Sequence, residues 1–475
     1  MPYKYLIICL FLVACQNIER EAKHRPAIDS PKTFTSESDS PLLESSEKWW
    51  QQLGDDELNK FMDKVFSDNL DLAQSWARLR QAEARLGISR SAKKLKLNAE
   101  ADAEGNKRKV DTNPNEDKQT FGAERYSIGL KATYEVDLWD RISDENAAAA
   151  MDYEAQKAQV QGTALLLSAE VVESWVTYKA IVEQLALLDN QIKTNEQTLN
   201  LISHRQKRGL ANIVDLFQQR QQVARVKSLI PKLAERKADL RLKLLLLSGE
   251  NFDAKIDLGE LKLPHLNEIP STGIPAEILA QRPDVNQSWL LLQSSEFRIS
   301  SANKAKLPRL TLSAQANFNN QKFSRLFDNW FSNIVAGLTA PILDGQLLEN
   351  EKLLAKAKSD ENYLNYKESA LNALNEVEQA LSAEKWRRVQ INSVQTEVEY
   401  SKNTLDETMR RYRRGLSDYL PVLTALATHQ QAQRTLTEVR TELIVNRIEL
   451  HRSLGGSWDI EENTELLPQA ETKEN

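Results

Sequence analysis

The chain has 475 residues, 41% hydrophobic and 27% charged, with only 15 Gly and 14 Pro to punctuate it, a composition that suits long exposed helices. A formal net charge of −6 gives no basic stripe for nucleic acid, and the five histidines, His24, His204, His265, His429 and His451, have no metal-ligand spacing. Both cysteines, Cys9 and Cys15, lie at the amino terminus, so no disulfide, nucleophile elbow or free catalytic thiol is expected, and no enzyme.

Met1–Tyr5 carries one Lys, Leu6–Val13 is an apolar run too short to cross a bilayer, and small residues follow. That order predicts a signal peptide over residues 1–14. Leu12-Val13-Ala14-Cys15 resembles a bacterial lipobox. The resemblance implies cleavage before Cys15 and a covalent lipid on its thiol, with no other cofactor. Gln16, where an Asp would retain such a lipoprotein at the inner membrane, implies the outer membrane. Residues 15–47, rich in Ser, Pro, Lys and Glu, read as a tether.

A first repeat is expected over 48–249. A helical pattern starts at Trp49-Trp50, breaks near Ser67-Asp68-Asn69 and runs on to about Lys94. The period then becomes two. Leu97, Ala99, Ala101 and Ala103 alternate with Asn98, Glu100, Asp102 and Glu104, and Tyr126 to Val136 alternate in the same way, predicting strands near 96–104 and 125–137. Such alternation suits a soluble sheet as well as a barrel wall. The charged, turn-rich stretch 105–124 reads as a loop. Glu100, Asp102, Glu104, Glu135 and Asp137 on the polar face suggest an acidic lining. From Arg141 to Arg208 there is no Pro and only Gly162, predicting one helix of about 100 Å. It turns at Arg208-Gly209-Leu210 and returns to Ser248-Gly249, with Pro231 as a kink or break.

After a proline-bearing connector over 250–275, the pattern recurs across 276–456. Asp71-Leu72-Ala73-Gln74-Ser75-Trp76 reappears as Asp284-Val285-Asn286-Gln287-Ser288-Trp289. Strands are predicted near 309–318 and 332–342, then a helix from Leu347 to a second tip, Arg414-Gly415-Leu416, and a return helix from Tyr419 to Leu454. A tail fills 457–475. At each tip a Gly ends one helix and a short polar side chain, Asn212 or Asp418, is expected to cap the next.

The fold class is therefore mainly α with a β-barrel part: a duplicated protomer with four strands and two long helical hairpins. Four amphipathic strands cannot close a membrane barrel, so the chain must oligomerise; two copies give eight strands and three give twelve, and six hairpins can continue the wall as a tube.

Trp49-Trp50 with Asn69-Leu70-Asp71-Leu72, Arg282-Pro283-Asp284-Val285, Glu135-Val136-Asp137-Leu138-Trp139, Pro341-Ile342-Leu343-Asp344-Gly345 and Tyr412-Arg413-Arg414-Gly415-Leu416-Ser417-Asp418-Tyr419-Leu420 resemble the outer membrane factors of bacterial efflux systems, the TolC/OprM group, in its lipoprotein branch. Two departures are Asp140, where that family commonly has Gly, and Leu95, where the second copy has Pro308. The resemblance implies a homotrimer with a twelve-stranded outer-membrane barrel and a periplasmic α-barrel. Its partners would be outer-membrane lipid, a periplasmic adaptor (membrane fusion) protein and an inner-membrane pump of the RND type. Arg208, Gly209, Leu210, Arg414, Gly415 and Leu416 would meet the adaptor. Asp418, Tyr419, Tyr412, Arg413 and Asn212 would form the periplasmic gate, and no residue would hold a metal. The competing readings are a lipid-anchored coiled-coil scaffold or adaptor without a barrel, and the exit duct of a type I secretion system.

Overall fold

The computed structural model describes residues 48–110, 119–257, 259, 262–264, 266 and 279–455. The signal peptide, Cys15, the tether, half of the connector and the tail lie outside the described residues. A short 3-10 turn, Trp49–Leu53, leads into α1 (Asp56–Asp68) and α2 (Leu70–Ser91). Strands β1 (Lys96–Val110) and β2 (Gln119–Val136) follow, then α3 (Arg141–Lys207), α4 (Ile213–Lys227) and α5 (Ile230–Leu247). The second half holds α6 (Pro283–Lys304), β3 (Arg309–Asn320), β4 (Trp330–Thr339), α7 (Leu347–Arg413) and α8 (Leu420–Leu454). Helices α3 and α7 each contain 67 residues.

The strands form one antiparallel sheet in the order β1-β2-β3-β4, with unbroken register between neighbours. Because the register never slips, period two holds across the sheet: Leu97, Ala132, Ala314 and Ile334 share one face, and Asn98, Lys131, Gln315 and Asn333 share the other. The stretch 105–124 is not a loop at either end. Gly105 to Val110 pairs with Gln119 to Glu124, because extended backbone gains ladder hydrogen bonds even where the side chains are charged. The fourth strand starts at Trp330 and stops at Thr339, before Pro341, which cannot donate to a ladder.

Two carboxylates of the acidic row are ion-paired and a third is hydrogen-bonded. Lys131 lies 3.5 Å from Glu100, Arg141 donates to Glu135 at 2.8 Å, and Ser127 donates to Asp102 at 3.4 Å. Asp137 is taken up by the helix start: it accepts from the Ile142 and Ser143 backbone N–H groups at 2.9 and 2.8 Å, anchoring α3. Burial works against its charge, but these bonds and the Ser143 hydroxyl hold its carboxyl below the usual range. Asp344 does the same at the start of α7, accepting from Gln346 N and Leu348 N, both at 3.0 Å. The residue before each helix takes a left-handed conformation, Asp140 at φ 59° and Gln346 at φ 69°, so Asp140 tolerates the turn a Gly would make. Leu95 and Pro308 each stand just before a strand, so that departure leaves both starts in place.

Helix α3 packs along α2 and α6, α7 along α6 and α8, and α8 also along α3. Pro231 sits in the first turn of α5, where its missing N–H costs nothing, so the first return helix is broken at 228–229. The main core gathers Trp49, Trp50, Phe61, Met62, Trp76, Trp175, Leu244 and Ile444. Asp55 caps α1 through Leu58 N at 3.2 Å and also accepts from Trp175 Nε1 at 3.0 Å and Lys179 Nζ at 2.5 Å, tying α1 to the middle of α3. The two halves lock by the same geometry with different side chains. Asn69, ahead of α2, donates to Leu247 O at 2.8 Å; Arg282, ahead of α6, donates to Ser453 O at 3.0 Å. Each bond satisfies a carbonyl left open at the end of a return helix.

Candidate functional site

The hairpin tips share one backbone. At the first, Leu210 N donates to Arg205 O and Gly209 N to Gln206 O, both at 2.9 Å; at the second, Leu416 N donates to Arg411 O and Gly415 N to Tyr412 O, both at 2.9 Å. These are Schellman closures, with Gly209 at φ 71° and Gly415 at φ 76°. The closure usually tucks an apolar side chain back against its helix, yet Leu210 and Leu416 are 61% and 63% exposed. Arg208 and Arg414 beside them are exposed too.

Past the glycine the tips diverge. Asn212 accepts from Val214 N at 3.1 Å, and Asp215 accepts from Asn212 N at 3.1 Å, a reciprocal capping box that starts α4. Asp418 does not cap α8, contrary to the expectation. Tyr419 holds the cap position, its carbonyl accepting from Val422 N at 2.9 Å, and no side chain caps the helix. Were Asp418 the cap, the third helical residue would be Pro421, which has no N–H to offer. The Asp418 carboxylate is exposed and has no hydrogen bond or ion pair to the described residues.

Tyr412 and Tyr419 point inward instead of toward Asp418. Their rings meet at 5.5 Å in a buried cluster with Ile202, Leu216 and Val422. The Arg205 guanidinium covers the Tyr412 ring at 4.7 Å and donates to Arg413 O at 3.3 Å, so the first hairpin grips the second. The Tyr419 hydroxyl donates to Gln219 Oε1 on α4. Burial, with Tyr412 and Asp215 nearby, holds the Tyr419 phenol protonated.

From Gln219 a chain of amides runs up the hairpin. Gln219 Nε2 donates to Asn195 O at 2.7 Å, Asn195 Nδ2 to Gln430 Oε1 at 3.0 Å, and Gln191 Nε2 to Gln430 O at 3.0 Å. Arg434 ends the chain on Gln191 Oε1 at 2.6 Å. These groups join α3, α4 and α8. Sequence reasoning missed Arg205, Gln219 and the amides; their signal was polar residues at the buried positions of amphipathic helices. Of the expected gate set, Tyr412 and Tyr419 come together, whereas Asp418, Arg413 and Asn212 lie outside their cluster.

A duplicated hairpin protomer with one four-stranded amphipathic sheet has close relatives in shape. A model of the outer membrane efflux protein family matches residues 62–250 and 274–456. The chain belongs to that family. Among its relatives, the pyoverdine export outer membrane protein OpmQ of Pseudomonas putida is 27% identical over 426 residues, covering 88% of this chain and 90% of the relative. The probable outer membrane lipoprotein SilC of Salmonella typhimurium is 24% identical, covering 95% of this chain and 98% of its own length. In fold, the outer-membrane channel OprN superposes with a TM-score of 0.86 at 23% identity, over 92% of this chain and 98% of that one. This outer membrane efflux protein is accordingly a channel of the outer membrane with a periplasmic helical part, and the relatives are outer-membrane components of efflux systems.

Proposed function

We propose that three copies form one exit duct, closing their sheets into a twelve-stranded barrel and continuing it as a periplasmic α-barrel of six hairpins. The observation that carries this reading is the pair of open sheet edges. Among the described residues β1 pairs only with β2 and β4 only with β3, and an unpaired strand edge in lipid costs several kcal/mol per backbone group. Edge-to-edge pairing of β4 with the next copy's β1 removes the cost and leaves room for a passage. On this reading 48–249 and 276–456 are the two repeats, the lipid on Cys15 adds an outer-membrane anchor, and the duct is passive, with no catalytic step.

The partners are a periplasmic adaptor and an inner-membrane pump of the RND type. Both tips dock the adaptor, with Leu210 and Leu416 as apolar contacts beside Arg208 and Arg414, and Gly209 and Gly415 shaping the turns. What supports this is that an identical closure leaves a large apolar side chain in water twice. Asp418 forms a ring of three carboxylates at the pore mouth, with Arg413 and Asn212 around it, while Tyr412 and Tyr419 position it from behind. Relatives named for pyoverdine export and cation efflux fit a duct whose cargo is chosen upstream.

Planar-bilayer conductance of a trimer cross-linked from β1 to β4 tests the architecture; a monomeric particle without conductance would sink it. Asp418→Ala is expected to raise closed-state leak severalfold, and unchanged leak would remove Asp418 from the gate.

A further inference from the structure

Beyond its aromatic belt, the apolar face of the sheet turns basic. Tyr126, in register with Ala103 and Asn320, carries Phe323 edge-on at 5.6 Å, and Phe318, opposite Trp330, carries Phe327 edge-on at 5.3 Å. Phe323, Phe327 and Trp330 are 70%, 68% and 72% exposed. Aromatic rings this exposed at one level of a membrane strand mark the lipid–water interface. From Tyr126 to Val136 the same face of β2 is apolar, spanning about 33 Å along the strand and about 25 Å at the usual tilt, the thickness of a barrel's lipid-facing band.

On β1 the lipid-facing row Leu97, Ala99, Ala101, Ala103 continues without a register slip through Gly105 to Lys107 and Lys109. Lys107 therefore stands four residues past the belt, about 10 Å above it, and Lys109 about 15 Å above it. Both are exposed, and their long stems let the ammonium groups reach back toward the membrane. Lys322 and Arg325 are also exposed, in and beside the turn that bears Phe323 and Phe327. The one carboxylate in this face's row on β2 past the belt, Glu124, accepts from the Tyr126 hydroxyl at 3.3 Å. Among the described residues, the basic groups Lys107, Lys109, Lys322 and Arg325 outnumber the acidic Glu124 and the exposed Asp328 of the same turn.

We propose that this rim binds the phosphate-bearing headgroups of anionic lipid in the outer leaflet, with Lys107 and Lys109 as the contacting groups and the belt against the acyl chains. Each Lys near an anionic surface is worth roughly fivefold in binding, so the pair is worth roughly twenty-five-fold at low salt. The inference rests on the sheet being a barrel wall. Full-length lipidated protein in detergent is titrated with purified bis-phosphorylated lipid A, with the same lipid stripped of phosphate, and with phosphatidylethanolamine. Wild type should prefer the bis-phosphorylated lipid, K107Q/K109Q should lose about twenty-five-fold in affinity for it, and K107R/K109R should keep it. Equal affinity of wild type and K107Q/K109Q, or of phosphorylated and stripped lipid, overturns the proposal. Conductance of the same proteins in phosphatidylcholine bilayers separates the two readings: a wild type that forms no channel overturns barrel and rim together, whereas a conducting K107Q/K109Q with undiminished binding overturns the rim alone.

Discussion

The two hairpin tips have the same closure and opposite means of support. The first caps itself: Asp215 accepts from Asn212 N and Asn212 accepts from Val214 N, all within four residues. The second has no cap and is held from outside, by Arg205 over Tyr412 and by Gln219 on Tyr419, both side chains of the first hairpin. A self-capped turn is rigid wherever it is placed. A turn whose support lies on a neighbouring helix moves when that helix moves. The difference makes the second tip the one whose support depends on how the hairpins are arranged, which is why the proposed gate is placed there.

The largest expected effect is at Tyr419. Tyr419→Ala deletes a ring buried to 1% exposure and should cost about 3–5 kcal/mol. Tyr419→Phe, which leaves Gln219 Oε1 without its donor, should cost about 1–3 kcal/mol. Hydrogen exchange should show the loss at the second tip with the first still protected; equal loosening of both would break the comparison.

A second contrast lies at the far ends of the return helices. Gly249 and Gly455 close them, and counting back four residues gives a buried Leu245 in the first and His451 in the second, stacked on Trp49 at 5.1 Å. Burial, with Arg447 nearby and Glu384 opposing, pushes His451 down to about 4. Its folded-state value lies below the ordinary 6.5, so its neutral form stabilises the fold in full above pH 6.5. That contribution, about 3 kcal/mol, is lost as pH falls toward 4. Melting curves at pH 7.5 and 4.5 should differ by less in His451→Leu, which copies the first repeat. An unchanged difference would assign the acid sensitivity elsewhere.

The smallest effects are at the polar tip residues. Asn212→Ala removes a cap and should cost about 1 kcal/mol, whereas Asp418→Ala removes none and should stay within about 0.5 kcal/mol. Denaturant midpoints of the two variants check this directly. A large loss at Asp418 would mean that its carboxylate has a partner in the assembled state.

Helices α3 and α7 were legible because neither 67-residue stretch holds a Pro to break it, and the strands because period two gives one apolar and one polar face. The strand ends were less so. Charged residues past Ala103 broke the pattern that signals a strand, but backbone pairing does not depend on side-chain polarity, and β1 ran on to Val110. Asp418 was misread for a related reason: its spacing from the glycine resembled that of Asn212, while the proline three residues later moved the cap to Tyr419 and the helix start to Leu420.

By itself the sequence determined the duplication, the order of elements, the tip glycines and the amphipathic faces, since each follows from local periodicity and backbone preference. The tertiary structure decided which polar side chains are spent on holding the fold. Asp137 and Asp344 start helices, Glu100 and Glu135 are ion-paired, and Tyr412 and Tyr419 join the two hairpins. The helix-starting carboxylates find their partners within six residues, but Arg205 over Tyr412 and Gln219 on Tyr419 join residues about two hundred apart, and neither period nor propensity carries information about so distant a neighbour.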